Sequence, residues 1–160
     1  MDGRGRDGEG SAPTCIGAPI GRLLVVDDEP AIVQTLNRIL RRRYTVTLET
    51  DPRRALARVE NGETFDLVLS DISMAPISGG ELYEGIVRAA PHMAERVLIM
   101  TGGASCPANE TFLARWPHPV LWKPFGPDDV VAHVEATLQR AELGASMLRA
   151  PRPRAVTASR

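Results

Sequence analysis

Five short apolar runs, each closed by polar residues and most followed by residues at helical spacing, constrain the fold of this chain more than any other feature. Arg22 to Asp27 (RLLVVD) is short and β-branched at Val25 and Val26, and it reads as a buried strand. Tyr44 to Glu49 alternates as a second strand, and Phe65 to Asp71, Arg96 to Thr101 and Pro119 to Lys123 supply three more. Between them lie helical patterns. Pro30 suits a first helical turn, Ile32, Leu36, Ile39 and Leu40 recur on one face, and Arg41 to Arg43 stand where the helix dipole favours cations. Asp51-Pro52 opens a second helix that ends at Gly62, Gly79 to Ala90 forms a third that stops before Pro91, Asn109 to Trp116 forms a short fourth, and Pro127 to Leu143 a fifth.

Strands alternating with helices predict a parallel sheet covered on both faces. In such sheets ligands bind beyond the carboxyl ends of the strands, where strand order reverses. The residues at those ends are therefore the candidates. Strand one ends in Asp27 and Asp28, strand three in Asp71, strand four in Thr101 and strand five in Lys123. Two ionised carboxylates about 4 Å apart repel by roughly 4 kcal/mol at an effective dielectric near 20. A hard divalent cation such as Mg²⁺, which prefers oxygen ligands, relieves that conflict. A lysine ammonium and a hydroxyl suit the oxygens of a phosphoryl group. Any one of these residues reads as a cap, a buried hydroxyl or a solvated charge; together, at one edge of four strands, they point to phosphoryl transfer.

The remaining features restrict the function class. Lys and Arg number 19 against 20 Asp and Glu, so the chain has no global pull toward nucleic acid or a membrane surface. Cys15 and Cys106 lack metal-ligand spacing, and a reducing cytoplasm fits them. No apolar run approaches the roughly 20 residues that span a bilayer, so a soluble, cytoplasmic protein is expected. His92, His118 and His133 have no metal spacing, and no P-loop or GxGxxG follows the first strand. The Gly-rich start, residues 1–21, and the Pro/Arg-rich end, residues 142–160, are expected to be disordered tails around one domain at 22–141.

The order VVDDEP, LVLSDISMAPISGG, IMTGG and LWKPF resembles the receiver domain of response regulators in two-component and phosphorelay signalling, over about Arg22 to Arg140. The resemblance implies a flavodoxin-like (βα)5 fold, doubly wound, with strand order 2-1-3-4-5. It implies Asp71 as phosphoacceptor, Mg²⁺ held by Asp27, Asp28, Asp71 and the backbone carbonyl of Ser73, and Thr101 and Lys123 as ligands of the phosphoryl oxygens. It also implies a sensor histidine kinase or phosphotransfer protein as donor, and it allows weak homodimer formation on phosphorylation. Such a protein is a self-modifying switch with slow autodephosphorylation, not an enzyme acting on an external substrate.

Two departures from the family pattern stand out. Pro76 falls one place later than in many receivers, while Met74 and Gly79 keep register. Val120 replaces the usual aromatic three residues before the lysine, and Trp122 shares its strand face, where plain packing is the simpler reading. About 20 residues follow the fifth helix, too few for a helix-turn-helix output, so a single-domain regulator acting through protein contact is expected. A receiver module separated from a hybrid histidine kinase, or a phosphorelay intermediate, is the neighbouring alternative. An aspartyl-phosphate phosphatase lacks its Asp-x-Asp signature here, and an inactive scaffold would be expected to have lost Asp71, Thr101 or Lys123.

Overall fold

A computed structural model of the chain describes residues 18–103 and 106–149. Its strands are β1 (Arg22–Val26), β2 (Thr45–Glu49), β3 (Leu67–Asp71), β4 (Val97–Thr101) and β5 (Val120–Trp122). They alternate with helices α1 (Pro30–Leu40), α2 (Pro52–Glu60), α3 (Gly79–Ala89), α4 (Pro107–Arg115) and α5 (Pro127–Arg149). All pairings are parallel, in the order β2-β1-β3-β4-β5. The expected doubly wound sheet is therefore the one observed.

Side-chain alternation divides the core into two layers. Leu24, Val26, Val68 and Ile99 face α2 and α3, meeting Ala55 and Leu82. Leu23, Val25, Leu69 and Met100 face α1 and α5, meeting Leu36 and Val134. Strands covered on both faces must be apolar nearly throughout, which is why β1, β3 and β4 read as unbroken apolar runs.

Local sequence sets the helix starts. Proline occupies the first turn of α1, α2 and α4, where its missing N–H costs no helical hydrogen bond. Asp51 caps α2 by accepting from the N–H of Arg53 at 2.9 Å. Ser78 and Glu81 form a reciprocal capping box at α3. Glu29 precedes Pro30 as the N-cap residue of α1 without a side-chain bond, its carbonyl accepting from Ile32 and Val33.

Four expectations need correction. The fifth helix runs to Arg149 rather than ending at Leu143, so the expected tail is helical as far as residue 149. Gly144 costs about 1 kcal/mol relative to alanine, but Ala141, Glu142, Leu143 and Ala145 around it favour helix, and no proline intervenes before Pro151. At the other end, Ile20 donates to the Arg43 carbonyl and Thr45 to the Gly21 carbonyl, so these two residues belong to the fold. The rest of both expected tails, residues 1–17 and 150–160 with Cys15, lies outside the described residues. A 3₁₀ helix, Pro91–Arg96, fills the α3–β4 connection and buries Met93, where only a helix stop had been expected. Trp122 is 60% exposed, so the packing expected of it does not occur. Its strand is the sheet edge, and alternation fixes a side without supplying an element to cover it. No described helix is long and apolar enough to cross a membrane.

Candidate functional site

Strand order reverses between β1 and β3, because the chain leaves β1 toward β2 and returns to the other side for β3. The loops after these two strands diverge and open a crevice at their carboxyl ends. Asp27 follows β1 directly and Asp71 is the last residue of β3. Both are buried, at 0% and 4% exposure, so neither is a solvated surface charge.

Lys123 binds them together. From the end of β5 its Nζ lies 2.7 Å from Asp27 Oδ2 and 2.8 Å from Asp71 Oδ1. The backbone N–H of Lys123 donates to the Thr101 carbonyl at 2.7 Å, which fixes the lysine against β4. The second oxygen of each carboxylate is also held. Asp27 Oδ1 accepts from the Glu29 N–H at 2.9 Å, and Asp71 Oδ2 from the Ser73 N–H at 2.7 Å.

These contacts shape the titration of the cluster. Burial raises the Asp27 carboxyl above the usual aspartate range, and the hydrogen bond and charge of Lys123 and the Glu29 N–H only partly offset it. Burial opposes the Lys123 ammonium too, but Asp27 and Asp71 outweigh it, leaving the lysine raised. Lys123 is thus a firmly held cation at neutral pH.

Asp28 and Thr101 are placed differently. Asp28 is exposed and lines a cleft with Ser73, Met74, Pro76 and Asn109. Thr101 is fully buried, and its hydroxyl donates to the Gly103 carbonyl at 3.1 Å and accepts from the Gly103 N–H at 3.0 Å. That turn uses Gly103 at φ 126°, a conformation side-chain-bearing residues rarely adopt. The Gly102-Gly103 pair therefore makes a turn beside the cluster, with the threonine hydroxyl engaged inside it.

Among the described residues, no three acidic, histidine or cysteine side chains gather as a metal-binding group. The chemistry of the donor set nevertheless suits a hard cation: Asp27 and Asp71 bring two carboxylates against a single ammonium, and the exposed Asp28 follows Asp27 in sequence and lines the cleft that Ser73 also lines.

Three contributors escaped sequence reading. Gly79, the first residue of α3, lets the helix start against the Asp71 loop; a Cβ there would stand 2.2 Å from the Asp71 carbonyl oxygen. Glu49, the last residue of β2, is buried beside Asp27, whose N–H reaches its carbonyl, but Arg58 at 2.7 Å and Arg54 at 3.4 Å neutralise its side chain. Its place at a strand end was the available signal. Asn109 is buried on α4 and contacts Ser73. The histidines stay apart, His118 beside Glu95 and His133 on the Asp129 carbonyl.

Comparison with known proteins is consistent across sequence and structure. The model of a family described as response regulator receiver domain matches residues 23–135. The transcriptional regulatory protein TcrA of Mycobacterium tuberculosis is 30% identical over 139 residues, 86% of this chain and 54% of that protein. GlrR of Escherichia coli, also a transcriptional regulatory protein, is 30% identical over 120 residues, 74% of this chain and 26% of its own length. The chain thus spans about half of TcrA and a quarter of GlrR. Among solved structures, a CheY-like receiver domain protein from Methanospirillum hungatei superposes with a TM-score of 0.67 at 31% identity, covering 77% of this chain and 97% of that one.

Proposed function

The chain belongs to the response regulator receiver domain family, and from that premise we propose that it is a phosphoacceptor switch modified on Asp71. The donor is the phosphohistidine of a sensor kinase or phosphotransfer protein, and the modified form changes the chain's contact with a protein partner. The observation that supports this most directly is the joining of buried Asp27 and Asp71 by the single ammonium of Lys123 at the switch point of the sheet.

A carboxylate oxygen of Asp71 forms the new O–P bond while the P–N bond of the phosphohistidine breaks, the electron pair leaving with the imidazole nitrogen. Asp27, Asp28, Asp71 and the Ser73 carbonyl would hold Mg²⁺, which when bound neutralises charge on the transferring group and positions it. Lys123 keeps its charge throughout, so it can give a hydrogen bond to a phosphoryl oxygen once Asp71 is phosphorylated. Thr101, now bonded to Gly103, offers a hydroxyl from the adjacent strand. Gly79 keeps α3 from displacing the acceptor loop.

Incubation with a small-molecule phosphodonor tests the reading. The wild type should carry acid-labile, hydroxylamine-sensitive phosphate, and Asp71→Asn should carry none; label retained in that variant refutes the assignment. Phosphotransfer profiling against the kinases of its own organism then identifies the donor.

A further inference from the structure

Helix α4 differs from its neighbours in what anchors it. In Pro107–Arg115 the only buried residue is Asn109, a polar amide. Phe112 and Leu113 pack only partly against the core, and Cys106 at the N-cap makes no side-chain cap bond. A buried amide is tolerated where it finds a partner. Asn109 finds one in the acceptor loop, its Nδ2 donating to Ser73 Oγ at 3.4 Å.

Ser73 in turn donates its N–H to Asp71 Oδ2 at 2.7 Å. Two hydrogen bonds therefore lead from the Asp71 carboxylate to the one buried residue of α4. Both bonds pass through Ser73, one by its backbone and one by its side chain, so any displacement of that residue alters the anchoring of the helix.

We propose that Asn109 is a positioning residue that couples the Asp71–Ser73 loop to helix α4, so that a change at the carboxylate is transmitted to the helix through Ser73. The signal it transmits rests on the phosphoacceptor reading, whereas the coupling itself rests on the two hydrogen bonds. Once Asp71 becomes an acyl phosphate, the oxygen that faces the Ser73 N–H is either a carbonyl or the bridging oxygen, each a weaker acceptor than the carboxylate, and a shifted Ser73 leaves the buried amide of Asn109 without its partner. The helix must then move or expose Asn109. Its remaining attachments are partly buried side chains, which permit that movement.

Amide hydrogen exchange over residues 107–115 provides the test, on the full chain, with and without Mg²⁺ and beryllofluoride as phosphoryl analogue. Asn109→Leu keeps most of the side-chain volume and removes the bond; Asn109→Ala guards against a steric artefact. Both should speed exchange in α4 about threefold to tenfold, Ser73→Ala should do the same, and the double variant should be no faster than either single one. With the analogue, wild type should change in both 71–78 and 107–115, and the Asn109 variants in 71–78 alone. Additive effects in the double variant, or a wild-type response of α4 in the Asn109 variants, overturn the proposal. A wild type that responds in neither segment overturns the phosphoacceptor reading instead, while the double-variant comparison still decides the coupling.

Discussion

Lys123 holds Asp27 across 96 positions of sequence, its Nζ 2.7 Å from Oδ2 of a carboxylate that has almost no access to solvent. The same ammonium serves Asp71, so one cation compensates two buried anions. Removing it should expose how much of the fold's stability is tied up in the site.

Lys123→Met should destabilise the chain by about 3 kcal/mol at pH 7, the lower end of the cost of stranding one partner of a buried ion pair. Asp27 is already raised by burial, and without the lysine it rises further, so acidification protonates it and shrinks the deficit. In wild type, the stability contributed by the raised lysine is fully present below its ordinary value of 10.5 and is lost as pH climbs through the folded value. Urea unfolding at pH 7 and pH 4.5 separates the causes. A deficit of equal size at both would assign the effect to lost packing of the lysine stem.

Mg²⁺ should stabilise the wild type by an amount that grows with concentration, about 2.7 kcal/mol at a hundredfold excess over the dissociation constant. Asp28 is exposed, so Asp28→Asn should cost little stability in metal-free buffer yet lose most of the Mg²⁺ effect. Calorimetric scans with and without Mg²⁺ give both quantities. An undiminished metal effect in the variant would remove Asp28 from the donor set.

Gly79→Ala places a methyl group 2.2 Å from the Asp71 carbonyl oxygen and 2.9 Å from Ile72 Cα, both backbone atoms that cannot swing aside. A loss of about 1–3 kcal/mol is expected from overpacking. Because the clash bears on Asp71, the proposed acceptor, phosphate incorporation should slow as well. Gly144→Ala, with open space around the added carbon, is the control and should leave labelling at the wild-type rate.

His118 carries a pH signature remote from the cluster. Its imidazole is lowered below 6.5, first by burial and then by Arg140, with Glu95 opposing. The unfolded chain therefore takes up this proton before the folded one, and the contribution is present above 6.5 and lost as pH falls. Thermal stability measured between pH 7.5 and 5.5 should decline, and His118→Gln should flatten part of that slope. An identical slope in the variant would assign the decline to other groups.

Much of this architecture is legible in the sequence because parallel strands buried on both faces leave unbroken apolar runs. Asp27, Asp71, Thr101 and Lys123 could be named from position alone, since each ends or follows such a run. Contacts between elements are less accessible. Asn109 looks like an ordinary polar residue of a short helix until α4 is placed against Ser73. Gly79 looks like a helix-start glycine until the Asp71 carbonyl appears beside it. Thr101 could be placed at the site, but its hydroxyl's engagement with Gly103 depends on a turn that two glycines leave undetermined. Helix α5 runs past Gly144 to Arg149 because the helix formers on both sides of that glycine outweigh its local cost, a balance that the Pro/Arg-rich composition of the segment does not reveal.

The cation of the cluster arrives from β5, a three-residue edge strand paired with β4 alone. Edge elements of this kind have little to hold them and are natural places for local opening. Asp27 and Asp71 stand at the ends of inner strands that can pair before the edge is laid down. Until β5 docks, two acids stand in a desolvated crevice without their counter-ion. Completion of the last strand and assembly of the cluster are thus one event: during synthesis the cluster comes together only after the chain has extended past residue 123, and in the mature protein any fraying of that edge disassembles it.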